Sequence, residues 1–320
     1  MINKVFTDGL SFALPLLIMA IGALYSEKSG VTNLAIEGFQ GVGAFVGALA
    51  ATLLAPVMGS GNQAIIYIAM VCAAAGGAVF SCLHGLLCIR FRANQVISGV
   101  VINILAVALT AFFTSAANSA INGTASNKFI LDVSDRFTVP LLSKIPGIGG
   151  LFTDMYPFEI VIIVLVVFLW YLMNRTRFGM RLRACGENPH AVDAAGASVN
   201  RIRWAAVLIS GALSGIGGIC FAYSLIGNFS PSIYQGFGYL AIAAMIFGNW
   251  HIGPTTLACL VFGLAKSGGL QLCIAAKLPS NYTDLFLMLP YVLTLLLLIF
   301  FSKKNHPPKA AGEPWDKSKR

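Results

Sequence analysis

Charge is scarce in this sequence. Only 10% of its 320 residues are Asp, Glu, Lys or Arg, and the 12 acidic residues are outnumbered by 21 basic ones. A soluble domain carries about 25% charged residues, so this chain has too few to cover a water-facing surface of ordinary polarity. Histidine occurs four times and Asp is nearly absent from the apolar runs. A membrane-embedded enzyme needs clustered ionisable groups on facing helices, and that pattern does not occur. The seven cysteines are an odd set without a CxxC spacing, and all except Cys185 lie in or beside apolar runs. They read as small core hydrophobes, not as metal ligands or disulfide partners.

What the chain has instead is 57% hydrophobic residues and a mean hydropathy of +0.80. Those figures define an integral membrane protein and exclude a disordered chain, a disulfide-stapled secreted scaffold and an acidic interaction module. Long apolar runs cover Leu10 to Tyr25, Leu34 to Val57, Ala64 to Ile89, Val96 to Ala117, Phe158 to Met173, Trp204 to Ile226 and Leu285 to Phe301. Two shorter runs, Phe237 to Asn249 and Thr255 to Leu272, lie between the last two. A crossing helix needs about 20 residues, so this pair is expected to be half-length or re-entrant. The expected fold is all-α: one polytopic membrane bundle over residues 1–302 with about eight to nine transmembrane helices, some short or broken, and a basic tail over 303–320. Inside the runs only Glu37, Glu159 and Lys266 are charged, as the cost of charge in hydrocarbon requires.

The loops set orientation, because Lys and Arg near span ends stay in the cytoplasm. One side collects Lys28, Arg90, Arg92, six arginines from Arg175 to Arg203 and six basic residues after Phe301, fifteen in all. The other holds Lys4, Lys128, Arg136, Lys144 and Lys277. The C-terminus is expected in the cytoplasm, the N-terminus outside, and the segment 118–156 outside. Asp8 and the immediate return to membrane at Leu34 favour a retained first helix over a cleaved signal peptide.

Three stretches depart from plain helix. Ser26 to Gly38 (SEKSGVTNLAIEG) places two glycines before Asn33 and Glu37, where the second span should be starting. Irregular backbone at membrane depth is tolerated where it is buried in protein or lines an aqueous cavity. One reading is a broken helix beside a pathway, with Asn33 and Glu37 as pore-side groups; the other is an ordinary turn with Asn33 as N-cap and Glu37 in the first helical turn. Gly248 to Pro254 (GNWHIGP) punctuates the short pair, and reads as a hairpin turn with Trp250 at the interface in preference to a gating element. Asn94, Gln95, Ser98 and Asn103 form a polar stripe at the start of the fourth span, suited equally to a cavity wall and to interhelical hydrogen bonding. Gly43 with Gly47 and Gly211 with Gly215 read as close-packing pairs. Lys266 reads as a snorkelling residue, and His84 has no evident partner.

The segment Arg175 to Arg203 is the most informative. Asn188 is a good N-cap, Pro189 suits the first helical position and Gly196 suits a left-handed C-terminal position. The helix so defined has about seven residues, too few to hold alone in water, and Ala191, Val192, Ala194 and Ala195 offer small contacts for a tight cleft. On the residues alone, an amphipathic loop with its arginines at lipid phosphates explains it as well.

The segment RFGMRLRACGENPHAVDAAGASVNRIRWAAVLISGALSGIGG resembles the cytoplasmic coupling region of ABC-transporter permeases of the ribose and branched-chain amino acid type, and is most similar to the nucleoside-importer subgroup. The stretches ALPLLIMAIGALYSEKSGVTNLAIEGFQGVGAFVGA, RANQVISGVVINILAVALT and FGYLAIAAMIFGNWHIGPTTLACLVFG resemble the same subgroup, so the likeness covers Leu10 to Phe301. It implies a non-catalytic membrane subunit in a bacterial cytoplasmic membrane, paired with a second permease, ATP-binding subunits that hold ATP and Mg, and an extracytoplasmic solute-binding lipoprotein. No cofactor is expected on this chain and no nucleic acid among its partners. The chain has no G-x-x-x-x-G-K-[ST] phosphate loop of its own, since Lys266-Ser267 follows Ala265. By this resemblance Glu187, Asn188, Pro189, Ala191, Ala195 and Gly196 correspond to the family's docking helix. Separately, on the polar residues read above, Asn33, Glu37, Asn94, Gln95 and Asn103 are the pathway candidates. The expected solute is a nucleoside; a sugar, a branched-chain amino acid or transport by a stand-alone secondary carrier are the alternatives.

Overall fold

The computed structural model describes residues 2–59, 61–131, 136–140, 143, 153–232, 236–277, 279, 282–301 and 305–317. The expected outer segment 118–156 therefore lies partly outside the described residues, as do Lys144, Lys303, Lys304, Lys319 and Arg320.

Among the described residues, seven helices are long and apolar enough to cross a membrane. They are α1 (Ile2–Lys28), α2 (Ile36–Met58), α3 (Gln63–Gly85, continued by a π turn Leu86–Arg90), α4 (Gln95–Asn122), α5 (Pro157–Arg175), α8 (Val199–Phe221, continued by a π turn Ala222–Ile226) and α10 (Ile252–Ala275). Between α5 and α8 run α6 (Arg177–Glu187) and α7 (Pro189–Ala194); α9 (Phe237–Phe247) precedes α10, and α11 (Thr283–Leu287) and α12 (Leu289–Phe301) follow it. A pair of two-residue strands, β1 (Phe129–Ile130) and β2 (Asn228–Phe229), joins antiparallel with Phe129 opposite Phe229.

Two of the sequence expectations change. The Thr255 to Leu272 run is no half-helix: α10 has 24 residues and is long enough to cross. Pro254 lies in its first turn, where a missing N–H breaks no helical hydrogen bond, so the proline marks a start and shortens nothing. The Leu285 to Phe301 run is instead divided, since Pro290 at the second position of α12 has no N–H to carry the helix on from α11.

Helices α1 and α8 are the centre of the bundle, almost wholly enclosed, while α2, α3, α4, α5 and α10 each leave an apolar face outward. Those faces include Val71, Val79, Ile104, Phe112, Val164 and Phe168, residues suited to lipid or a second apolar subunit. In a membrane, helices associate through close packing of small residues because lipid is as apolar as leucine. The contact of α2, α3 and α8 is built this way. A Cβ on Gly43 would collide with Gly215 Cα, and one on Gly77 with the Gly211 carbonyl.

The bundle has two distinct ends. At one, Asp8 near the start of α1 pairs with Arg136 at 3.3 Å, and Phe137 bridges to Met155. At the other, Gly30, Arg92, Gly186, Arg203 and Asn249 all bond to residues 306–316. Arg92 and Arg203, which the sequence assigns to one side, thus meet residues 306–316 at one end.

Candidate functional site

The backbone between α1 and α2 is not helical from Val31 to Leu34, yet it lies inside the protein. Ser29, Val31 and Asn33 are fully buried. Its polar groups are satisfied by side chains from α3, α4 and α8. Asn33 donates to Ser210 Oγ at 3.0 Å and accepts from Ala35 N at 3.0 Å. Gln95 Oε1 accepts from Thr32 N at 2.6 Å. Asn103 Oδ1 accepts from Gly38 N at 2.8 Å, and its Nδ2 donates to the Leu34 carbonyl at 2.8 Å and to Tyr239 Oη at 3.0 Å. The approach is close at Gly38, where a Cβ would sit 3.0 Å from Asn103 Oδ1 and 3.1 Å from the Ile102 carbonyl.

Glu37 stands in the first turn of α2, but its carboxylate crosses to α9, accepting from Gly236 N at 2.7 Å and Gly238 N at 3.2 Å. An anion at the start of a helix meets unpaired N–H groups and the positive end of the dipole, and here it serves two helix starts at once. Asn33, Glu37, Gln95 and Asn103 are therefore brought together around one break. Asn94 stands apart as the exposed N-cap of α4, accepting from Val96 N and Ile97 N. The plain-turn reading is corrected in one respect: Ala35, and not Asn33, is the residue preceding α2, and it makes no side-chain cap.

Several partners were not legible in the sequence. Trp250 is no interfacial aromatic; it is buried, and its indole N–H donates to Glu27 Oε2 at 2.6 Å. His84 bonds Ser98 Oγ at 3.0 Å and the Thr32 carbonyl at 3.2 Å. Lys266 does not reach an end of its span: its ammonium lies 3.9 Å from the Phe12 ring centre and 4.5 Å from that of Phe237. Glu159 accepts from Ser11 Oγ at 2.6 Å.

At the basic end, α6 opens on Thr176, whose hydroxyl accepts from Gly179 N at 3.2 Å, and closes at Glu187. Asn188 caps α7 by accepting from Ala191 N at 3.1 Å, and Pro189 holds the first position. The turn ends at Ala195, with Gly196 at φ +77°, in the left-handed region that glycine enters without a Cβ penalty. Val192 is buried and anchors the helix, whereas Glu187, Asn188, Ala191, Ala195 and Gly196 are exposed and Pro189 is half-buried. A six-residue helix has little stability of its own, so its position is set by the Val192 anchor and the neighbouring chain. Burial raises the pKa of the Cys185 thiol, against the opposing pull of the neighbouring Arg203 guanidinium.

These features define the class: a polytopic helical membrane protein with a broken helix in its interior and a short capped helix presented at one end. Residues 5–298 match the family described as the permease component of the branched-chain amino acid transport system, and the chain belongs to that family. It is 37% identical to the guanosine ABC transporter permease protein NupQ of Bacillus subtilis over 97% of this chain and 96% of that one. It is 38% identical to the nucleoside ABC transporter permease protein NupC of Lactococcus lactis over the same shares. A second B. subtilis guanosine ABC transporter permease protein, NupP, is 28% identical over 85% of this chain and 75% of its own. No solved structure matches.

Proposed function

We propose that this chain is the permease subunit of an ATP-binding-cassette importer for nucleosides, seated in a bacterial cytoplasmic membrane with its basic end inward. A second, related permease completes the pathway, as the similarity to both NupQ and NupP of one organism suggests. ATP-binding subunits carrying ATP and Mg dock at the basic end, and a solute-binding lipoprotein docks at the other. The observation that carries the reading is α7, a helix too short to stand alone, with its apolar anchor turned inward and its small residues turned outward.

In this mechanism closure of the ATPase pair moves α7. Motion passes through α6 and α8, which flank it, to α1, which packs against α8 along its length. The break at 31–34 lets α1 and α2 tilt separately. Glu37, Asn103 and Tyr239 mark the pathway wall, with Asn33 and Gln95 behind it and Asn94 apart at the start of α4. Selection rests on the binding protein, because a wall of few amides grips no solute tightly.

Combining Glu187→Lys with Ala191→Trp, both at exposed positions, tests the docking. The double variant is expected to insert in the membrane at the native level and to lose co-purification of the ATP-binding subunit. Normal co-purification would overturn the assignment of α7.

A further inference from the structure

The segment after α12 is more than the basic tail that its composition suggests. Residues 305–317 form a strap bonded to six positions at that end of the bundle, Gly30, Arg92, Gly186, Asp193, Arg203 and Asn249. His306 N donates to Asn249 Oδ1 in the α9–α10 turn at 2.8 Å. Ala310, 5% exposed, donates its N–H to the Gly186 carbonyl of α6 at 2.8 Å. Gly312 N reaches the carbonyl of Gly30, beside the broken helix, at 3.3 Å. Arg203 of α8 donates to the Glu313 carbonyl at 3.0 Å. Asp316 pairs with Arg92 at 2.7 Å, and Lys317 lies 3.7 Å from Asp193 of α7. The fit depends on two glycines: a Cβ on Gly30 would sit 2.7 Å from Arg203 Nη2, and one on Gly186 would strike the Lys28 carbonyl.

Between strap and α7 lies a cavity of about 470 Å³, with Glu187, Asn188 and His190 on one wall and Lys309, Glu313 and Trp315 on the other. Arg203, only 2% exposed, forms its floor. The guanidinium atoms Nε and Nη2 and the indole Nε1 of Trp315 are buried and have no hydrogen-bond acceptor among the described residues. The Cys185 thiol beside Arg203 is a weak acceptor at best. Buried donors are ordinarily paired, and with that thiol as the one weak acceptor at these guanidinium atoms and none at Trp315 Nε1 among the described residues, the cleft leaves free energy that an inserted acceptor would recover.

We infer that the strap is half of the docking surface for the ATP-binding subunit: α7 supplies one wall, residues 309–316 supply the other, and the partner inserts an acceptor-bearing segment onto Arg203 and Trp315. The partner follows from continuity, since the cleft shares Glu187, Asn188 and Pro189 with the exposed face of α7, and so the inference rests on the function proposed above. The strap also ties that partner to the break at Gly30 by a single hydrogen bond, a second route for its motion besides α6 and α8.

The test uses the assembled transporter with both permeases and the ATP-binding subunits. Trp315→Cys and Ala191→Cys are each labelled with a maleimide-benzophenone, which adds to the thiol at one end and inserts into nearby C–H bonds on irradiation at the other, against the native chain as background. Both are expected to cross-link to the ATP-binding subunit, and Trp315→Ala is expected to lower solute-stimulated ATP hydrolysis at least five-fold. Cross-linking from position 191 but not from 315 overturns the inference and leaves the proposed function standing. Cross-linking from neither overturns both. The cross-link reads the surface directly, so it decides even if Trp315→Ala folds poorly.

Discussion

At the break between α1 and α2, Asn33, Asn103 and Gln95 use their polar atoms on the protein's own backbone from Thr32 to Gly38, and Glu37 uses its carboxylate on that of Gly236 and Gly238. At the cleft under α7, Arg203 and Trp315 leave buried donors unused. Both regions are polar and both are enclosed, yet one is closed on itself and the other is open to a partner. Polar groups at membrane depth are expensive unless paired, so the first arrangement fixes a shape and the second marks where something binds.

That contrast breaks most sharply at Asn103. Asn103→Leu removes three hydrogen bonds and orphans Gly38 N–H and the Leu34 carbonyl. A cost of about 2–6 kcal/mol is expected, given ~1–3 kcal/mol for each of two buried groups left unsatisfied. It should appear as a marked fall in unfolding temperature of the purified permease, and an unchanged transition would show that the amides are not closing the break.

Thiol labelling sharpens the same comparison. Asn94→Cys and Glu37→Cys, at exposed and half-buried sites, should react with a polar maleimide in the resting protein. Asn33→Cys, at a fully buried site, should react only while the assembled transporter turns over ATP. Protection of all three during turnover would remove this cluster from the pathway.

A smaller effect is expected at the cap of α7. Asn188→Ala removes an N-cap worth about 1 kcal/mol, so coupled ATP hydrolysis should drop roughly five-fold while Asn188→Asp stays near native. Equal activity of the two would mean that the capped helix geometry does not matter to coupling.

What the sequence made legible was local. Asn188, Pro189 and Gly196 announce α7 within nine residues, because caps act over a single turn. The apolar runs announce the spans because hydrocarbon thickness sets their length. Glu27 and Trp250 meet across 223 positions, and Glu37 reaches Gly236 across 199. Such pairs have no periodicity, and a carboxylate at a span edge looks the same whether it faces water or an indole. The strap was hidden for a related reason. Its contacts run largely through backbone groups, at Ala310, Gly312 and Glu313, and backbone groups are common to every residue except the N–H of proline.

The most direct test of the central claim is uptake. The permease, its paired permease, the ATP-binding subunits and the binding protein are reconstituted in vesicles and supplied with labelled guanosine. Accumulation is expected only with ATP, and is expected to fall to background when Glu187→Lys and Ala191→Trp are combined; accumulation by this chain alone, or undiminished accumulation by the double variant, would contradict the account.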